Sequence, residues 1–208
     1  MKAKFITLDG IDGAGKSTNL NTIRNWFEKH QLPVLFTREP GGTPIGEALR
    51  ELLLNPATHA NARTETLMIF AARQQHLDEV IKPALEKGIH VVSDRFTDAT
   101  FAYQGGGRGL PLTDITILEN WVQQGFQPDL TLLLDVPLTV AQQRLSQNSH
   151  PDRFEQLDAA FFEHTRAVYL ERAAATPRRY SVIDSSLNLQ DVAQQINQGL
   201  AQLFGLDS

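Results

Sequence analysis

The order of apolar and helical segments predicts an α/β fold, a three-layer sandwich in which a five-stranded parallel sheet is flanked by helices on both faces. Five short apolar runs, Lys4 to Asp9, Val34 to Arg38, His90 to Asp94, Leu130 to Asp135 and Tyr180 to Asp184, are continuous rather than alternating, as strands covered on both faces are. Segments with helical spacing lie between them, and regular alternation of strand and helix is the pattern of parallel sheets. The 208 residues are 41% hydrophobic and 21% charged, enough for one sizeable core. No repeat, low-complexity tract or linker divides the chain, so residues 1–208 are expected to form one domain.

The first run ends at Asp9 and opens, through a glycine-rich segment, into a helix from Ser17 to Lys29. After the second run, periodicity predicts one long helix over Thr64 to Glu86. Beyond the third run, the nearly all-glycine stretch Gln104 to Leu110 reads as a loop, followed by a helix from Thr113 to Gln124. The polar stretch Gln142 to Arg153 reads as a second loop, and helices over Asp158 to Ala175 and Leu189 to Phe204 flank the last strand. In open α/β sheets ligands gather at the carboxyl ends of the strands, which marks Asp9, Arg38, Asp94 and Asp135.

Composition excludes several classes. A net charge of −5 and a pI near 5.7 give no basic footprint for nucleic acid. Cysteine is absent, so no disulfide or thiol chemistry is expected. The six histidines lack metal-ligand spacing, which argues against zinc. No stretch approaches the roughly 20 apolar residues of a membrane span. Met1 leads straight into a strand pattern, and the cytoplasm is the expected location.

Gly10-Ile11-Asp12-Gly13-Ala14-Gly15-Lys16-Ser17 matches the phosphate-binding G-x-x-x-x-G-K-S/T run, with Thr18 next, and it lies where that motif works, between a strand and a helix. Backbone N–H groups and the helix N-terminus cradle phosphates there. Lys16 is expected to reach the β and γ phosphates of ATP, and Ser17 to ligate Mg²⁺. The sandwich is thus expected to be of the P-loop NTPase kind. A guanine-reading Asn-Lys-x-Asp run is absent.

A phosphorylated acceptor needs cations to hold two anions together, and arginine forks do so directionally. Arg38 and Arg95 stand at strand ends, and Arg73 lies in the helical run after Phe70. Asp94 is placed to meet the P-loop magnesium, the alternative being a cap for a helix starting at Thr97. Asp135, before Val136 and Pro137, reads as a helix cap and is left out of the site.

At this point the chain resembles the bacterial thymidylate kinases, through Gly10 to Thr18, Arg38-Glu39-Pro40-Gly41-Gly42-Thr43, Phe70 to Arg73, Asp94-Arg95 and Tyr103-Gln104-Gly105-Gly106-Gly107-Arg108-Gly109, in family order across most of the chain. The resemblance implies transfer of the ATP γ-phosphoryl to dTMP. It implies Arg38, Arg73 and Arg95 around the monophosphate, Phe70 stacked on thymine, Thr100 and Gln104 bonding the base, and Tyr103 against the deoxyribose. On its own, Phe70 on an apolar helix face reads as core. The resemblance also implies Asp12 at the acceptor 3′-hydroxyl, a mobile lid over about residues 142–156 supplying Arg153 and Arg144, and a homodimer. Arg153 is the first choice for the transferred group, and the division of labour between the two lid arginines stays open. A deoxynucleoside kinase and a non-catalytic nucleotide-binding module are the rival readings.

Overall fold

The computed structural model describes residues 2–146, 153, 154 and 157–206. Among these the order is β1 (Phe5–Asp9), α1 (Lys16–Lys29), β2 (Val34–Arg38), α2 (Pro44–Leu54), α3 (Ala62–His76), α4 (Lys82–Glu86), β3 (His90–Asp94), α5 (Thr97–Thr100), α6 (Leu112–Gln123), β4 (Leu130–Asp135), α7 (Leu138–Leu145), α8 (Ala159–Ala175), β5 (Tyr180–Asp184) and α9 (Leu189–Phe204). Two π-helical turns, Leu77–Ile81 and Phe101–Gly107, continue α3 and α5.

The five strands form one parallel sheet in the order β2-β3-β1-β4-β5. The pleat explains why the strand runs are continuously apolar. Phe5 and its register partner Val91 enter one core cluster with Phe96, Phe101 and Ile115, whereas Ile6, Leu8 and Val92 enter the other with Ile23, Phe27 and Leu200. From central β1 the chain crosses to edge strand β2, returns through β3, and passes to β4 on the far side. The P-loop therefore stands where the strand order reverses, the position at which such sheets open a crevice.

Four expectations change. The predicted helix over Thr64 to Glu86 is divided, with a π-helical turn just ahead of Pro83, a residue that cannot donate to the preceding turn. The glycine run at Gln104–Gly107 is helical rather than a loop. Its glycines serve close packing on α8: an added Cβ would lie 2.6 Å from the His164 carbonyl oxygen at Gly106 and 2.3 Å from Phe161 Cε2 at Gly107. Asp135 caps no helix; it accepts Arg166 Nε and Nη2 at 2.6 and 2.8 Å, while Pro137 occupies the cap position of α7. Finally, α7 extends through Leu145, so the proposed lid begins in helix, and residues 147–152, 155 and 156 of it lie outside the described residues. Helix α2, capped by Thr43 and opened by Pro44, was not anticipated.

Candidate active site

The loop after β1 bends through positive φ at Gly13 (82°) and Gly15 (91°). At Gly13 a Cβ would also meet the Ala141 carbonyl oxygen at 2.5 Å, so only glycine fits. Asn19 Nδ2 donates to the Gly15 carbonyl at 3.0 Å and Ser185 Oγ to that of Ala14 at 2.5 Å, fixing the loop from outside. Ile11 and Ala14 are buried in the core, while Ser17 and Thr18 are exposed at the helix start. Lys16 Nζ donates to the carbonyls of Gly10 and Ile11, both at 3.1 Å.

A cavity of about 570 Å³ runs from this loop between β2, α3 and α5. Asp12 crosses it. Its carboxylate accepts Arg95 Nη2 on one oxygen and Tyr103 Oη on the other at 2.8 Å, with Lys16 Nζ 3.6 Å away. Burial disfavours the Asp12 charge, but Arg95 and Lys16 outweigh it and hold the carboxyl below its usual range. Burial, reinforced by repulsion from Arg95, lowers the Lys16 pKa. Burial pushes the Tyr103 hydroxyl well up, leaving a neutral donor. Arg95 further donates to Tyr103 Oη at 2.9 Å, the Gly10 carbonyl at 3.3 Å and Tyr169 Oη at 3.4 Å.

The other predicted residues separate into groups. Arg73, Thr100 and Gln104 are buried and line the far end of the cavity. Arg73 was expected at a monophosphate, yet its Nε is bound to Glu39 Oε2 at 2.7 Å and its Nη2 to Thr100 Oγ1 at 3.0 Å. Phe70 is 2% exposed in the core, with the Arg73 guanidinium 4.7 Å from its ring centroid; Ile69 forms the cavity wall beside it. Arg38 is half-exposed, bound to Glu47 at 2.8 Å, and does not line the cavity. Arg50 of α2 does, its Nη1 donating to the Pro40 carbonyl at 3.0 Å. No P-loop or strand-end rule points to Arg50, because its helix was not foreseen.

The two lid arginines stand on different walls. Arg144 lines the cavity and donates to the carbonyls of Gly13 at 3.3 Å and Ser185 at 2.9 Å. Arg153, the first choice, is held by Glu65 and by the Thr58 carbonyl at 2.9 Å, outside the cavity lining. Asp94 makes no cap, since Phe96 occupies that position; its Oδ1 is buried without a hydrogen-bond partner. Such an orphaned acceptor, in the cavity that the exposed Ser17 also lines, suits a cation that takes most of its ligands from phosphates and water.

Asp9, fully buried behind the P-loop, accepts Tyr169 Oη at 3.2 Å on one oxygen, and its other oxygen has no partner. Burial and the nearby Asp98 push its carboxyl up to about 7. Because the folded state binds this proton more tightly, the stability Asp9 contributes is complete below about pH 4 and is lost as pH rises through about 7. Asp9→Asn is expected to flatten the pH dependence of unfolding over that window by up to about 1.4 kcal/mol per pH unit. Urea melts at several pH values measure this, and parallel curves for parent and variant would refute it.

The sequence model of the thymidylate kinase family matches residues 8–196. The chain is 68% identical to the thymidylate kinase of Neisseria meningitidis serogroup B over 205 residues, covering 99% of this chain and 100% of that protein. It is 54% identical to that of Chromobacterium violaceum over 203 residues, 98% of this chain and 96% of the relative. The crystal structure of thymidylate kinase from Ehrlichia chaffeensis superposes with a TM-score of 0.78 at 30% identity, covering 96% of this chain and 99% of the other. With the P-loop, the acidic-arginine cleft and these full-length matches together, the chain belongs to the thymidylate kinase family.

Proposed function

We propose that this chain transfers the γ-phosphoryl group of ATP to dTMP, giving ADP and dTDP, inside the cavity bounded by Lys16 and Arg73. The observation that carries the reading is the Asp12–Arg95–Tyr103 cluster, which joins the P-loop to the opposite wall of a single cleft. Gly10 through Thr18 cradle the donor phosphates, with Lys16 on the β and γ groups. Arg144, beside Gly13 and Ser185, lies on the donor side.

Arg95 takes the acceptor monophosphate, with Arg38 and Arg50 at the rim adding positive charge. Asp12 orients the acceptor sugar hydroxyl, and Tyr103 lies against the deoxyribose and disfavours a 2′-hydroxyl. Arg73, Thr100 and Gln104 receive the base, with Phe70 the aromatic face behind Arg73. Ser17 and Asp94 would hold Mg²⁺, which neutralises negative charge on the donor phosphates when bound. Catalysis then rests on positioning and charge, without a covalent intermediate.

Residues from about 142 to 156 act as a lid that brings Arg144 and Arg153 toward the transferred group, which requires Arg153 to leave Glu65. A homodimer is supported by the exposed Leu67 of α3 and Ile117 and Trp121 of α6, at 57, 67 and 76% exposure on two helices that pack together. No helix among the described residues is long and apolar enough to cross a membrane. We place the reaction in the cytoplasm, where both substrates are present.

ADP release from ATP·Mg²⁺ against dTMP, dUMP, dCMP, dGMP, UMP and thymidine tests the reading. The expected result is strong preference for dTMP. Preference for thymidine would identify a nucleoside kinase, and release unstimulated by any acceptor would leave only the ATP site.

A further inference from the structure

Glu39 was no part of the predicted site, yet it is 3% exposed immediately after β2 and both its oxygens are engaged. Oε2 accepts Arg73 Nε at 2.7 Å, and Oε1 accepts His76 Nδ1 at 3.0 Å. His76 is fully buried, and its Nε2 lies 2.7 Å from Thr37 Oγ1. A carboxylate can only accept, so Nδ1 carries the proton, and on a neutral ring Nε2 accepts from the Thr37 hydroxyl. The chain Thr37–His76–Glu39–Arg73 thus runs from edge strand β2 to the cavity wall. Gly42 closes over it: an added Cβ there would stand 2.5 Å from His76 Nε2 and 2.8 Å from Thr37 Oγ1.

Arg73 is held on every side but one. Its guanidinium lies 4.7 and 5.0 Å from the ring centroids of Phe70 and Phe96, and Nη2 donates to Thr100 Oγ1 at 3.0 Å. Nη1 is buried without an acceptor, although the side chain lines the cavity. With its charge balanced by Glu39 at contact distance, Arg73 offers a ligand a fixed, directional N–H rather than a free cation. Such a donor suits a neutral carbonyl oxygen better than a phosphate, and a mobile or misaligned one would not discriminate.

We propose that Glu39, backed by His76 and Thr37, is a positioning residue that sets base specificity by aiming Arg73 Nη1 at a carbonyl acceptor on the pyrimidine. The inference rests on the assignment of this cavity to a pyrimidine monophosphate. A 4-keto base satisfies the waiting donor. A 4-amino base sets donor against donor and leaves Nη1 buried and unpaired, the kind of mismatch that discriminates strongly.

The test compares parent, Glu39→Gln, His76→Asn and Thr37→Val with dTMP and dCMP as acceptors, alongside thermal melts and the KM for ATP. In Glu39→Gln an amide N–H₂ faces Arg73 or His76, so one of two donors loses its acceptor. The KM for dTMP is expected to rise roughly 10- to 100-fold, with kcat and the KM for ATP within about threefold and the dTMP-to-dCMP ratio of kcat/KM reduced about tenfold or more. Thr37→Val, at the end of the chain, is expected to move the same two quantities in the same sense by a smaller factor. Folded variants whose dTMP KM and discrimination ratio stay within about twofold of the parent would overturn the proposal; where Glu39→Gln fails to fold, unchanged ratios in both His76→Asn and Thr37→Val decide it the same way. A parent enzyme without preference for dTMP over dCMP would instead overturn the base assignment beneath it.

Discussion

Arg95→Ala is expected to lower kcat/KM for dTMP on the order of 10²- to 10³-fold, chiefly through the KM for dTMP, while the KM for ATP changes little. Arg95 holds four oxygens at once, those of Asp12, Tyr103, Tyr169 and the Gly10 carbonyl, of which Lys16 reaches only those of Gly10 and Asp12. It does so from a backbone φ of 68°, a left-handed conformation that costs a non-glycine residue about 1 kcal/mol and persists only where surrounding contacts over-determine it. Despite burial, Tyr103 and Asp12 hold its pKa well above the ordinary guanidinium value. Arg95→Lys is expected to recover only a small part of the loss, since one ammonium cannot reproduce a fork spread over several acceptors. Steady-state kinetics with dTMP and ATP varied separately provide the check; an unchanged dTMP KM in Arg95→Ala would remove the monophosphate from this position.

The largest stability effect is expected at Asp98, outside the cavity. Its carboxylate, 1% exposed, accepts Arg172 Nε at 2.6 Å, Arg179 Nη1 and Nη2 at 2.5 and 2.9 Å, and Thr131 Oγ1 at 3.3 Å. The two guanidiniums also stack, Arg172 at 3.7 Å from the Phe101 centroid and Arg179 at 4.4 Å from that of Tyr180. Asp98→Ala leaves Arg179 without a carboxylate partner and Arg172 with only Glu119 at 4.0 Å, and it is expected to cost about 3–5 kcal/mol, a fall in Tm of roughly 6–20 °C for a chain of this size. Burial alone would raise the Asp98 pKa, but its arginines pull it down to about 2. Its contribution is therefore complete above about pH 4 and lost as pH falls through about 2. Thermal and urea melts at neutral pH measure the effect, and a loss below about 1 kcal/mol would show that the pair is dispensable. The activity consequence follows from position: Asp98 ties α5 and the π-helical turn after it, which carry Thr100, Tyr103 and Gln104 into the cavity, to α8 through Arg172, to Arg179 just ahead of β5 and to Thr131 of β4.

Local chemistry decided what the sequence alone made legible. Four strands, β2 through β5, have the bounds their apolar runs predict, and α9 does as well, because a strand buried on both faces and an amphipathic helix write their periods into adjacent residues. The P-loop is equally local: its glycines, lysine and serine act through consecutive backbone groups, so spacing suffices. The glycine run at 104–107 is different: glycine there answers to the closeness of α8 rather than to a turn, which local spacing does not encode. Helix α2, and with it Arg50, was likewise not legible in the sequence.

Only the tertiary structure decided which charge meets which. Arg38 and Arg73 look alike in sequence as candidates for a phosphate, yet one turns outward to Glu47 and the other is sealed against Glu39 and Thr100. Asp9, Asp94, Asp98 and Asp135 are likewise four similar carboxylates given four different settings: a raised pKa, an orphaned oxygen, a double arginine clamp and a helix-to-strand ion pair. Coulomb energy and desolvation depend on distances between residues that, Arg38 and Glu47 apart, lie 27 to 160 positions from one another in the chain, and those distances exist only once the strand order β2-β3-β1-β4-β5 has brought the ends of the strands together.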